Sequence, residues 1–281
     1  MNHFRWLLVG FLAISNMVVW LSVLHYRSGK LEVHFLDVGQ GDAILVETPG
    51  GNQMLVDGGA DKKVLTRLGQ ELPFYDRSID LVVATHPDAD HIGGLPEVFS
   101  RFKISGFLGP QAPSDSDVAV LLDRRIEEER STEVVARRGM RIKLDEDVYF
   151  DVLFPDVEVA SWETNEASIV GRLSYGETSF LLTGDNVKAI ENYLVGLDSR
   201  LLDADVLKVG HHGSKTSTSL AFLRAVDPDY AVISAGRSNS YGHPHPSTLD
   251  VLKKEKIAVL GTYDKGTVTF VSDGRELIVR Q

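Results

Sequence analysis

The stretch "THPDADHIGG", from Thr85 to Gly94, decides how the rest of the chain reads. His86, Asp88, Asp90 and His91 fall within six consecutive positions, and all four side chains carry lone pairs suited to a metal ion. A polar loop broken by Pro and Gly is the ordinary reading of such a stretch. The residue types argue against it, because none of the four is a Lys, Ser or Asn. Two carboxylates packed so closely with two imidazoles call for a cation to offset their charge. The stretch follows "DLVVAT", Asp80 to Thr85, an apolar run that reads as a buried strand. The loop at the carboxyl end of such a strand is where α/β proteins place ligand sites.

Working outward, strands come first. Leu31–Val38, Ala43–Thr48 and Gln53–Gly59 form an antiparallel meander, turning at "GQGD" and at "PGGN". Helical spacing covers Lys62–Leu72 and Val118–Glu129, with Lys103–Leu108 a strand between them. Thr132–Pro155 holds two or three short strands, and Ser168–Asp185 a hairpin turning near Gly176. Helices at Val187–Leu197, Leu220–Val226 and Ser247–Lys254 then alternate with strands at Asp205–Gly210, Asp229–Gly236 and Ala258–Thr262. Strands at Thr267–Val271 and Glu276–Val279 end the chain. The second half repeats the plan of the first. The expected fold is α/β (α+β in sheet content): two sheets face to face with helices outside, a four-layer αββα sandwich.

The 281 residues divide into an expected membrane anchor, 1–29, and one domain, 30–281. "WLLVGFLAISNMVVWLSVL", Trp6 to Leu24, contains no charged residue and, as a helix, reaches about the ~30 Å of a bilayer core. Trp6, Trp20 and Tyr26 stand near its ends, as interfacial aromatics do. No small-x-small cleavage site follows, so an uncleaved transmembrane helix is expected rather than a signal peptide. Basic residues flank it on both sides (Arg5; Arg27 and Lys30), so charge does not set its orientation. The expected location is the cell membrane, single-pass, with the domain extracytoplasmic. The formal charge of −11 disfavours a broad basic surface for nucleic acid, and the absence of Cys excludes disulfides and thiolate metal sites.

Metal-competent residues recur at strand ends: the opening motif, Asp185 in "LLTGD", His211 and His212 in "VGHHGS", and His243 and His245 in "GHPHP". Six of the nine histidines lie in these clusters. Together with "FLDVGQGDAILVETPGGNQMLVDGG" and "NEASIV", these motifs resemble the metallo-β-lactamase superfamily, and more closely the hydrolase-like domain of ComEC-type DNA-uptake competence proteins. The likeness runs from about Leu31 to Phe270. It implies two adjacent divalent ions, Mn²⁺ or Zn²⁺ with Mg²⁺ as a further candidate. Asp90 and His91, with His211, would bind one; His86 and Asp88 the other; Asp185 both. Where the superfamily commonly has His, this chain has Asp88, and no His lies between His91 and His211. Asn165 or Ser168 is the available substitute, and the oxygen-richer set favours harder ions. His212 and His245 are candidates for a ligand or supporting role, and Asp37 and Asp57 read as structural or supporting carboxylates.

Two ions of this kind lower the pKa of a shared water and clamp the oxygens of a displacement. Asp90 would orient that water, His243 would serve a leaving group, and Lys215 in "HHGSKTSTS" would add a point charge before a helix start. The expectation is a membrane-anchored phosphodiesterase or nuclease acting on an anionic substrate such as single-stranded DNA. Having one apolar segment, the chain is not itself a channel, so a separate channel protein is the expected partner. A lactone-type hydrolase and a non-catalytic metal-containing binding module are the alternatives.

Overall fold

The computed structural model describes the backbone of residues 2–26 and 29–280, and the side chains of residues 4–20 and 29–280. Helix α1 (Asn2–Tyr26) precedes the domain. Three strands then follow through short turns: β1 (Leu31–Phe35), β2 (Ile44–Glu47) and β3 (Gln53–Val56). Such turns allow only antiparallel pairing, whereas helical crossovers return the chain parallel. The crossovers begin here with α2 (Lys63–Glu71), leading to β4 (Ser78–Val83). Next come α3 (Ala89–Ile92), α4 (Leu95–Phe99), β5 (Lys103–Gly109), α5 (Asp117–Glu129) and β6 (Thr132–Val135).

The second half does the same. An antiparallel run of β7 (Arg141–Asp145), β8 (Val148–Phe154), β9 (Val170–Tyr175) and β10 (Thr178–Leu182) passes into parallel strands β11 (Val206–Lys208), β12 (Tyr230–Ile233) and β13 (Ala258–Gly261). Their crossovers carry α6 (Lys188–Asp198), α7 (Leu220–Val226) and α8 (Pro246–Lys254). After α9 (Thr262–Lys265), strands β14 (Val268–Ser272) and β15 (Leu277–Arg280) cross back to the first sheet. The sheets are ordered β15-β14-β1-β2-β3-β4-β5-β6 and β13-β12-β11-β10-β9-β8-β7.

Three apolar layers follow from strand alternation. Val33, Phe35, Phe150, Phe180 and Phe270 fill the space between the sheets. The Phe270 ring stands edge-on to Phe35, Phe180 and Tyr230, at centroid distances of 5.9, 5.7 and 5.5 Å. Leu45, Leu55 and Val82 face the opposite way, onto α2, α4 and α5. Leu181, Leu207 and Ala231 do the same beneath α6, α7 and α8. This is the expected αββα sandwich.

Two expectations need correction. The motif after β4 is not a loop: Ala89–Ile92 and Leu95–Phe99 are short helices. They pack so closely on the segment between β3 and α2 that a Cβ at Gly94 would strike the Gly58 and Asp61 carbonyls. The membrane-crossing helix expected over Trp6–Leu24 is not supported. Among the described residues, no helix is long and apolar enough to cross a membrane. The end of that stretch from residue 21, with the flanking Arg27, lies outside the residues whose side chains are described. Helix α1 buries none of its described side chains; Trp6 is 74% exposed and Phe11 67%.

Candidate metal centre

The site forms where the carboxyl ends of β3, β4, β10, β11 and β12 meet. Asp57, just past β3, takes a left-handed backbone conformation (φ 59°) and turns a fully buried carboxylate toward the next strand. Three donors reach its two oxygens: Thr85 N–H at 2.8 Å, Thr85 Oγ1 at 2.7 Å and His91 Nδ1 at 2.8 Å. A carboxylate only accepts, so the His91 ring proton sits on Nδ1. The Thr85 hydroxyl, its own proton directed at Asp57, accepts from His86 Nδ1 at 3.0 Å. His212 Nδ1 donates to the Ser234 carbonyl at 2.9 Å. The same tautomer follows for all three imidazoles: each presents Nε2 to the site.

Those nitrogens point at carboxylates. His91 Nε2 lies 3.3 Å from Asp185 Oδ1, and His212 Nε2 lies 3.2 Å from Asp185 Oδ2 and 3.2 Å from Asp90 Oδ2. His86 Nε2 is 3.7 Å from Asp88 Oδ2. The His86 and His91 rings are 4.1 Å apart and the His91 and His212 rings 5.2 Å. His86 Nε2, His91 Nε2 and Asp185 Oδ1 are buried without a hydrogen-bond partner. Such isolation is costly for buried polar atoms unless something else satisfies them. A divalent cation held by imidazole nitrogens and carboxylate oxygens fits that set.

The electrostatics agree. Burial opposes the imidazolium form of His91 and His212, yet Asp185 and the neighbouring carboxylates outweigh it and hold both well above the usual His range. Burial, then the charge of His91, pushes His86 well below it. Burial also opposes ionisation of Asp90 and Asp185, but His212 and His91 keep both below the usual carboxylate range. The pocket favours positive charge at its centre, whether proton or metal.

A fold of two face-to-face sheets with this centre at its strand ends is matched by a family model. The Metallo-beta-lactamase superfamily model covers residues 36–237, more than half of the chain. The chain belongs to the metallo-β-lactamase superfamily. Among curated relatives it is similar to ComE operon protein 3 of Bacillus subtilis, 33% identical over 86% of this chain and 33% of that protein. Competence protein ComA of Neisseria gonorrhoeae is also 33% identical, over 83% of this chain and 31% of its own length. The chain thus spans about a third of these relatives. Among solved structures, Igni18, a metallo hydrolase from Ignicoccus hospitalis, shares the fold. It has a TM-score of 0.56 and 18% identity, over 86% of this chain and 98% of its own. The protein is therefore a member of the metallo-β-lactamase superfamily related to competence proteins.

Not every expected residue reaches the superfamily centre. His212 stands in the cluster, and His211 does not. Both adopt left-handed backbone (φ 52° and 48°), which turns the two rings to different sides. The half-buried His211 ring lies 5.6 Å from that of His243, with Nδ1 3.2 Å from Thr216 Oγ1. His243 stacks on Tyr241 at 6.0 Å and lies 6.4 Å from His212, on the rim. His245 caps α8, accepting from Ser247 N–H, so it fixes the helix start. Ser168 Oγ accepts the Asp185 N–H at 3.3 Å, holding that loop from behind. Asn165 Oδ1 is buried without a partner. Lys215 is exposed, and its carbonyl accepts from Lys188. Asp37 pairs with Arg67 at 2.9 Å, away from the cluster.

Two buried residues escape a reading by sequence. Asp42, in "GQGD", joins His91, Asp185 and His212, all four offering ligand-type atoms within 4.8 Å of one another. Its nearest imidazole atoms are His212 Nδ1 at 3.5 Å and His91 Nδ1 at 3.8 Å, the sides already turned away from the centre. Asp42 therefore supports the rings from behind. Its partner is Lys208, at the end of β11, whose ammonium has no solvent exposure. Lys208 Nζ also donates to the Gly184 carbonyl at 2.8 Å and lies 3.6 Å from Asp185 Oδ1. Burial opposes its charge, but Asp42 and Asp185 raise its pKa above the usual Lys value. Gly41 (φ 119°) is the available signal: a Cβ there would strike the Asp90 carbonyl, so the turn before Asp42 is pressed against the motif.

Proposed function

We propose that the protein is a membrane-attached, metal-dependent phosphodiesterase acting on nucleic acid, single-stranded DNA being the expected substrate. The observation that carries this reading is the convergence of the His91 and His212 Nε2 atoms on Asp185, with His86 Nε2 facing Asp88 beside them and Asp90 partly open to solvent. His86 and Asp88 would hold one divalent ion, and Asp90, His91 and His212 the other, with Asp185 shared. Mn²⁺ or Zn²⁺, with Mg²⁺ as a further candidate, would when bound lower the pKa of a water and offset phosphate charge. Asp90, kept ionised by His212 and His91, orients the attacking water by accepting a hydrogen bond from it. His243, kept below the usual His range by burial and by His211, is neutral at pH 7 and hydrogen-bonds a substrate oxygen at the rim.

The relatives named for competence support a nucleic-acid substrate. Helix α1, 25 residues with exposed apolar side chains, supports membrane attachment, and a separate channel protein is the partner this calls for. The test uses the full chain, stripped of metal and given Mn²⁺, Zn²⁺ or Mg²⁺ singly. Single-stranded DNA and bis-p-nitrophenyl phosphate are offered beside a lactone. The expected result is metal-dependent cleavage of both phosphodiesters, abolished in Asp90→Ala. Lactone turnover alone, or metal binding without any turnover, would overturn the reading. Flotation with lipid vesicles checks the attachment: the full chain floats and residues 30–281 do not.

A further inference from the structure

The outer face of the second sheet carries a feature that the metal centre does not use. An open pocket of about 390 Å³ lies on that face, lined by residues of β7, β8 and β9 and of the turns beside them. Four arginines line it: Arg138, Arg141, Arg172 and Arg200. In a chain of net charge −11, that is a local reversal of sign. Register explains part of it, since Arg141 of β7, Asp151 of β8 and Arg172 of β9 stand in one cross-strand row on the outer face. Arg138 comes from the turn before β7, and Arg200 from the 3₁₀ turn after α6.

Four guanidinium groups around one pocket repel one another unless anions separate them. Asp151 is the one carboxylate in the lining, and Arg141 takes it in a bidentate pair at 2.6 and 2.9 Å. The other three are anchored by one donor each. Arg138 donates to the Leu153 carbonyl, Arg172 to the Asp203 carbonyl and Arg200 to Asp198 Oδ1. A guanidinium has five N–H groups, so four on each of these three are unengaged within the described protein. Anchored stems with open forks suit the planar, multidentate recognition of phosphate. Gly139, Met140 and Leu153 add apolar surface to the lining. The volume falls in the range of about 300–1,000 Å³ that small-molecule sites occupy.

We propose that this pocket binds the phosphate group of a nucleotide, outside the catalytic centre. The nucleotide is either a unit of the strand being cut or the monophosphate released from it. The inference rests on the nucleic-acid reading for the identity of the ligand. The pocket adds affinity for the polyanion that an acidic surface otherwise lacks, and leaves the chemistry untouched.

The test is binding by the full chain in EDTA, where nothing is cleaved. The probes are a labelled single-stranded oligonucleotide, a deoxynucleoside monophosphate and inorganic phosphate. Combining Arg138→Gln, Arg172→Gln and Arg200→Gln should weaken oligonucleotide binding at least tenfold. The slope of log K against log salt should fall by about 0.7, the share of the one strand phosphate that the pocket neutralises. Asp151→Asn should tighten binding about threefold or more, a gain that a misfolded variant cannot give. Binding of the monophosphate as tightly as the oligonucleotide assigns the pocket to product; preference for the strand assigns it to substrate. Unchanged affinity in the triple variant, or no gain in Asp151→Asn, overturns the proposal. In parallel, metal-loaded hydrolysis of bis-p-nitrophenyl phosphate should be equal in all variants. Absence of that hydrolysis in the unmodified chain would sink the phosphodiesterase reading while leaving the binding result to stand by itself.

Discussion

His211 and His212 are neighbours with one composition and two fates. A left-handed backbone at both positions sends one ring into the centre and the other to the rim. The prediction is direct: His212→Ala loses stoichiometric Mn²⁺ or Zn²⁺ in a metal titration, whereas His211→Ala retains it. Equal loss in both would mean that the two rings share the centre. Lys208 tests the supporting layer. Removing one member of a buried ion pair costs about 3–5 kcal/mol, because the other charge is left without compensation. Lys208→Met should lower the stability of the metal-free protein by about that amount in urea unfolding. Adding Asp42→Asn should recover a large part of it. A double variant no better than the single would show that Lys208 acts through Asp185 or Gly184 instead.

Helices α6 and α7 are joined by one carboxylate. Glu191 on α6 accepts the N–H groups of Thr218 and Ser219, both at 2.6 Å, and Ser219 caps α7. Burial pushes the Glu191 carboxyl up to about 7 from an ordinary 4.5. The folded state therefore binds the proton more tightly than the unfolded state, and stability falls as pH rises through that window. Relative to Glu191→Gln, the unmodified protein should lose roughly 3 kcal/mol between pH 4.5 and 7, at about 1.4 kcal/mol per pKa unit. Parallel pH profiles of the two urea midpoints would contradict this. At this same scale the sequence is readable where elements are long. Helix α7 falls on its expected bounds, Leu220–Val226, and the hairpin of β9 and β10 turns where Gly176 predicts. Helices α3 and α4 escape because four or five residues offer too little periodicity to see. Asp42 escapes because "GQGD" has the composition of any tight turn, and only the closeness of Gly41 to Asp90 gives it away. The choice between His211 and His212 depends on two backbone dihedral angles that no residue type dictates.

At the level of the whole molecule, the centre joins both sheets: Asp57 and His91 come with the first, Asp185 and His212 with the second. A cation bound there stabilises the sandwich as a unit. At a free metal concentration of 100 times Kd the gain is about 2.7 kcal/mol, which raises Tm by roughly 5–10 °C in a domain of this size. Removing the metal with EDTA should reverse that shift, and a Tm indifferent to metal would contradict a centre shared by both sheets. The return of β14 and β15 to the first sheet has a mechanical consequence. Strand β1, which follows α1 in the chain, becomes an interior strand, with Ser272–Val268 on one side and Glu47–Ile44 on the other. Tension arriving through α1 meets two ladders loaded in shear, and bonds in shear yield together rather than one at a time. The domain can be pulled hard by its leading helix before the sheet that carries Asp57 and His91 begins to unzip.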